Sequence, residues 1–167
     1  LATPPTGASA LLSTDFPDLS GVLARIQQVY VDSLALVLPA RESTLPPVAG
    51  LIGIQDAFYS VVSRDPRPDE RWRGFTFHFR PDRLDAEAKA QRIATVLGLN
   101  GTRPLAKASR RNPLPALRQG HAELLARLQP QLSGQRLGLT GNYFQGMAIE
   151  DCISRSRSEY ERLYPGH

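Results

Sequence analysis

Between Gly74 and Arg80 the chain alternates residue by residue, with Phe75, Phe77 and Phe79 interleaved with Thr76, His78 and Arg80. A period of two puts the phenylalanines on one face of a strand and the polar residues on the other. The segment therefore calls for a sheet with one apolar face. Two strand-like runs precede it, residues 51–54 and 58–63, after the break made by Pro46, Pro47 and Gly50. With the polar stretch 64–71 as a loop, three consecutive antiparallel strands are expected. Residues 29–38, rich in Val and Leu and stopped by Pro39, read as a buried strand. Residues 102–110, closed by Asn112 and Pro113, read as another.

Helical spacing is clearest over 85–97, where Ala86, Ala90, Ile93, Ala94 and Leu97 share a face and Gly98 stands ready to end the helix. Residues 121–132 repeat such a face through Leu124, Leu125 and Leu128, with Pro130 disturbing the last turn. Residues 147–163 carry an expected apolar stripe of Ile149, Cys152, Ile153, Tyr160 and Leu163, with Glu150 and Asp151 at the positive end of the helix dipole. Shorter helices are expected at 8–12 and 19–28, and a short strand at 135–140. The fold class is α+β, a mostly antiparallel sheet with packed helices.

Composition narrows the function classes. Of 167 residues 41% are hydrophobic and 22% charged, which suits a chain that folds around a core. No apolar run reaches the ~18 residues needed to cross a bilayer. The one cysteine, Cys152, excludes an internal disulfide and a cysteine-built metal cluster, and no metal site is expected. It also points to a reducing, cytoplasmic setting. The net charge of +4 and pI near 9.6 come from basic residues dispersed among acids. The densest cluster, Arg103, Lys107, Arg110 and Arg111, reads as a solvated face. Without an aromatic platform interleaved with the cations, no nucleic-acid partner is expected.

The most informative stretch is 137–153. A strand-like entry leads into a turn bounded by Gly141 and Gly146, which delivers the chain to a helix start. Glycines permit close backbone approach to a ligand, and the free N–H groups of a helix start attract negative charge. Alone, that arrangement is common. The order of residues is more specific: Gly141-Asn142-Tyr143-Phe144, then Gly146-Met147, then Asp151-Cys152-Ile153 resembles the closing FAD-contacting motif of the protoporphyrinogen oxidase and flavin amine oxidase family. Pro115 followed by Gly120-His121 is similar to that family's Pro…Gly-His stretch, with Ala116-Leu117 where the family usually has Gln-Tyr. Leu1-Ala2-Thr3-Pro4-Pro5 resembles the segment that leaves its nucleotide-binding fold.

The resemblance implies FAD as cofactor, held by Gly141, Asn142, Tyr143, Gly146, Met147 and Ala148, with Thr3 and Pro4 from the other end of the chain. It implies an oxidoreductase acting on a small hydrophobic, amine or tetrapyrrole-like substrate, and leaves membrane association open. Phe58, Tyr59 and Phe77 are substrate-lining candidates, although core packing is the simpler reading of the phenylalanines. No protein acid, base or nucleophile stands out as catalytic. His78 reads as a surface or hydrogen-bonded residue, His121 as a structural contact near the cofactor, and His167 as a disordered end. The dinucleotide fingerprint Gly-x-Gly-x-x-Gly does not occur. With Leu at position 1, this implies a piece of a longer flavoprotein that lacks the amino-terminal Rossmann half. Residues 1–12 would end the nucleotide-binding fold, 13–112 form the substrate-domain sheet and helix, and 113–167 return to the cofactor. Self-association of such a piece is expected. The competing reading is a non-catalytic remnant of the flavoprotein fold that binds a ligand or partner.

Overall fold

The computed structural model describes residues 1–65, 69–101 and 103–166. Residues 66–68 of the expected polar loop, Thr102 at the expected start of a strand, and His167 lie outside the described residues. The chain divides into two compact units, Leu1–Val29 with Leu114–His167, and Tyr30–Pro113.

The central unit holds a sheet in the order β2-β3-β4-β1-β5, with β1 Gln28–Pro39, β2 Gly50–Ile52, β3 Phe58–Ser63, β4 Trp72–Phe79 and β5 Ala106–Pro115. The three expected antiparallel strands are β2, β3 and β4, paired in sequence order. β1 pairs antiparallel with β4, Leu34 opposite Phe77 and Leu36 opposite Phe75. That register puts Leu34, Leu36, Leu38, Val61 and the phenylalanines on one face, where they form a core with Ile93 and Leu97 of α3, Ala86–Leu97. Phe58 stands edge-on to Phe77 and Phe79, an arrangement that adds to the area they bury. The Asp85 carboxylate accepts the Ala88 N–H at 2.8 Å and opens α3. Gly98, at φ 66°, closes it, and a Cβ there would collide with Thr44.

The other unit carries α1 Pro5–Leu12, α2 Pro17–Ala24, α4 His121–Leu132 and α5 Ile149–Leu163. Prolines at the first helical positions start α1 and α2. Serines let these two helices approach closely, since Ser9 Oγ donates to the Ser20 carbonyl at 3.0 Å and Ser20 Oγ donates back at 2.8 Å. Leu12, Leu19, Leu23, Ile26, Leu128, Leu132 and Leu139 close a second core around Tyr143.

β5 runs through Asn112 and Pro113 to Pro115 instead of being closed by them, and the structure corrects the sequence reading at two further places. Residues 135–140 are not a strand; Thr140 makes an isolated parallel bridge with Ala2, its N–H donating to the Leu1 carbonyl at 3.0 Å. The face of α5 that is buried is also not the apolar stripe. Arg155 and Glu159 are buried, whereas Ile149, Ile153 and Tyr160 are exposed. The two corrections have one cause. The backbone of Leu139, lacking a full strand partner, is held by α5 side chains. Glu159 Oε2 accepts its N–H at 3.1 Å, and Arg155 Nε donates to its carbonyl at 3.0 Å. Arg162 adds bonds to the carbonyls of Leu132 and Leu137. Buried backbone must find partners, and here the charged face of a helix supplies them.

Candidate functional site

The parallel bridge assembles the candidate site. Two parallel segments leave their pairing in the same direction, so Ala2 opposite Thr140 puts Thr3-Pro4 and Gly141-Asn142 side by side at the carboxyl ends. The structure thus brings together two stretches singled out from opposite ends of the sequence. Pro4 then caps α1 by accepting the Ala8 N–H, while Gly141 begins the turn towards α5.

The turn is held from inside. Tyr143 is fully buried and packs on Phe144, with the ring centroids 4.7 Å apart. The Tyr143 carbonyl accepts a hydrogen bond from His121 Nε2 at 2.6 Å, which ties the start of α4 to the motif. That bond requires the proton on Nε2. The two glycines are needed by the chain's own packing. A Cβ at Gly141 would meet the Tyr143 ring, 2.6 Å from Cε1, and one at Gly146 would run into the Asp151 carboxylate. Burial pushes the Tyr143 phenol up to about 12, against a smaller opposing effect from Arg155. Its hydroxyl has no hydrogen-bond partner among the described residues.

The start of α5 is open to a ligand. Residue 148 is alanine, which has no side-chain acceptor, so the first N–H groups of the helix receive no cap from it. Only the reciprocal bond exists, from the Ala148 N–H to Asp151 Oδ2 at 3.0 Å. Beside this helix end lies an open concavity of about 620 Å³ whose wall is mostly apolar, with Met147, Ile149, Cys152 and Ile153, and which Asn142, Ser156 and Arg157 complete. Uncapped N–H donors beside an apolar wall suit a flat, largely apolar ring system with an electron-rich edge, and an isoalloxazine has that chemistry. Asn142, Met147 and the α5 start could hold it directly. Tyr143 lies in the core, so its contribution is to shape the turn.

The substrate-lining candidates lie in the central unit. Phe58 and Phe77 are 4% and 0% exposed and belong to the core under α3. Tyr59 is exposed, with the Arg80 guanidinium 4.3 Å from its ring centroid. Sequence reasoning passed over Arg155 and Glu159, which hold the strand-like segment entering the motif. Their only trace in the sequence is the i, i+4 Arg–Glu spacing, which surface helices also show.

Among the described residues the fold is α+β, a five-stranded, mostly antiparallel sheet with five α-helices. Among solved structures the chain is similar to the crystal structure of reduced UDP-galactopyranose mutase, with a TM-score of 0.69 and 12% sequence identity over 97% of this chain. It spans 40% of that structure's chain. No protein-family model and no curated protein matches it. Among the described residues, no helix is long and apolar enough to cross a membrane.

Proposed function

We propose that this chain is the FAD-contacting, carboxy-terminal part of an FAD-dependent oxidoreductase of the protoporphyrinogen oxidase and flavin amine oxidase type. The observation that carries the reading is the parallel bridge, which sets Thr3-Pro4 beside the Gly141–Ala148 turn. The uncapped start of α5 supports it, as does the likeness in fold to reduced UDP-galactopyranose mutase. Bound FAD supplies two-electron redox chemistry; the protein supplies position and burial. Here the N–H groups at the α5 start would donate to the ring edge that gains negative charge, and Met147 would pack on the ring. Arg155 and Glu159 act behind that layer, fixing the residue 137–139 backbone that aims the turn. The substrate class follows from the resemblance, a hydrophobic, amine or tetrapyrrole-like molecule, with Tyr59 as its exposed aromatic contact.

The test is the visible absorption of the protein purified from its native source at its native length, followed by titration with FAD. Flavin bands, lost when Gly146→Val displaces Asp151 from the α5 start, are the expected result. A colourless protein that takes up no FAD would overturn the proposal and leave a remnant that binds another ligand or a partner chain.

A further inference from the structure

A second concavity, of about 380 Å³, gathers cations with no acid among them. Arg25 and Gln27 line it from the link between α2 and β1, and Arg118, Gln119 and His121 line it from the approach to α4. Ala116, Gly120 and Leu124 complete the wall. All eight belong to the unit that holds α1, α2, α4 and α5, and the concavity beside the α5 start shares none of them. The concavities that hold Arg64 with Arg73, and Arg80 with Arg83, each include an aspartate. Here Glu123, the acid in the first turn of α4, does not reach the wall. Arg73, Arg92, Arg111, Arg155 and Arg162 each pair with an acid, whereas neither the Arg25 nor the Arg118 guanidinium has a partner among the described residues. Like charges gathered without a counter-charge repel, and a cleft walled by one sign concentrates ions of the other.

The backbone that presents these groups is fixed by hydrogen bonds. The Ala116 N–H donates to the Gln27 carbonyl at 2.8 Å and joins the two segments. The Arg118 N–H donates to the Ala116 carbonyl at 2.9 Å and the His121 N–H to the Arg118 carbonyl at 3.0 Å, a tight turn in which Gly120 takes φ 86°. Gly120 caps α4 without a side chain, so the N–H groups of Ala122 and Glu123 receive no acceptor from it. His121 is anchored through Nε2 to the Tyr143 carbonyl. Guanidinium and helix N–H groups only donate, and the Gln27 and Gln119 amides add further donors. The volume lies at the small end of the range for ligand concavities, about 300–1,000 Å³, so the group it suits is compact. Two unpaired cations match a phosphate monoester, with a charge of about −1.5 to −2 near neutral pH, better than a singly charged carboxylate.

We propose that this concavity binds a phosphate group, free or as the monoester of a small molecule, between Arg25 and Arg118. The two guanidiniums make charge-assisted hydrogen bonds to it, and the start of α4 adds N–H donors. The site stands independently of FAD binding.

The test titrates the whole chain, free of flavin, with inorganic phosphate, glycerol phosphate or acetate in separate series at constant ionic strength. ¹H–¹⁵N correlation reads the amides of Ala122 and Glu123 and the Nε–H groups of Arg25 and Arg118. Saturable shifts at these groups with at least one of the two phosphate compounds, and far weaker binding of acetate, are expected. Tighter binding of glycerol phosphate assigns the site to an organic monoester, and tighter binding of inorganic phosphate assigns it to the free ion. Arg25→Gln and Arg118→Gln should each weaken binding about tenfold, the loss of one charge-assisted bond. Arg127→Gln, on the exposed side of α4 and outside the concavity, should leave it unchanged. All three arginines are exposed, so the remaining amide shifts should show the fold intact in each variant. Absence of saturable shifts with both phosphate compounds overturns the proposal, and so does acetate binding of equal affinity or unchanged affinity in either Arg25→Gln or Arg118→Gln.

Discussion

At the scale of single residues, the buried charges of α5 matter most for the candidate site. Glu159 is surrounded by donors: the Leu139 N–H, Arg162 at 2.9 Å, and Arg155, whose Nη2 stands 2.8 Å away as an ion pair rather than an aligned hydrogen bond. Burial pushes its carboxyl up, yet the bonds from Arg162 and Leu139 and the two arginine charges outweigh that, and the carboxyl ends below its ordinary value. Replacing one partner of a buried ion pair leaves the other uncompensated, at a cost of about 3 kcal/mol or more. Glu159→Ala should therefore lower stability by that order in urea unfolding and also loosen the 137–139 backbone. Tyr143 makes the useful contrast, because its hydroxyl is buried without a partner. Tyr143→Phe removes an unsatisfied polar atom and keeps the ring, so its stability should be unchanged or rise by ~1 kcal/mol. A loss as large as that of Glu159→Ala would show that the hydroxyl has a partner, and the reading of it as unsatisfied would fail.

At the scale of elements, β1, β5 and α3 are tied by charge as well as by the sheet. Asp32 takes Arg111 and Lys89 at 2.7 Å each, and those two hydrogen bonds, Arg111 first, hold its carboxyl near 2. The folded value lies below the ordinary 3.8, so this stabilisation is complete above the unfolded value and is lost as pH falls through the folded one. Asp32→Asn should flatten the acid limb of the stability–pH curve in that window, and an unchanged limb would mean that the pair contributes nothing. How far such elements can be read from sequence depends on what decides them. Strand alternation at Phe75, Phe77 and Phe79 and the Gly98 stop are local, and both were legible. The burial of α5 was not, because the apolar count along Ile149, Ile153 and Tyr160 outweighs Arg155 and Glu159 until the bare backbone of Leu139 is known to lie beneath them. Residues 135–140 failed for the same reason. They have the composition of a strand, and no sequence window shows how little of a partner strand they meet. Thr3 and Gly141 were singled out separately, and only the parallel bridge shows that they are neighbours.

At the scale of the whole molecule, turning the charged face of α5 inward leaves its apolar face outward. Ile149, Ile153, Tyr160 and Tyr164 fall at i, i+4, i+11 and i+15, one stripe of the helix, and each is exposed, Ile149 at 81%. Met147 continues the stripe into the turn. A contiguous apolar surface of this kind marks a place where something else packs. On the proposed function a nucleotide-binding half would cover it, and the chain alone should cover it with another copy of itself. Light scattering should therefore find a species larger than the monomer at micromolar concentration. Ile153→Glu with Tyr160→Glu should shift it to monomer at unchanged unfolding stability, because both side chains are already exposed and neither supports a core. Fusion to a nucleotide-binding half should suppress the association without any substitution. A monomer at every concentration would show that the stripe tolerates water, and the argument that α5 is a surface built to be covered would fall with it.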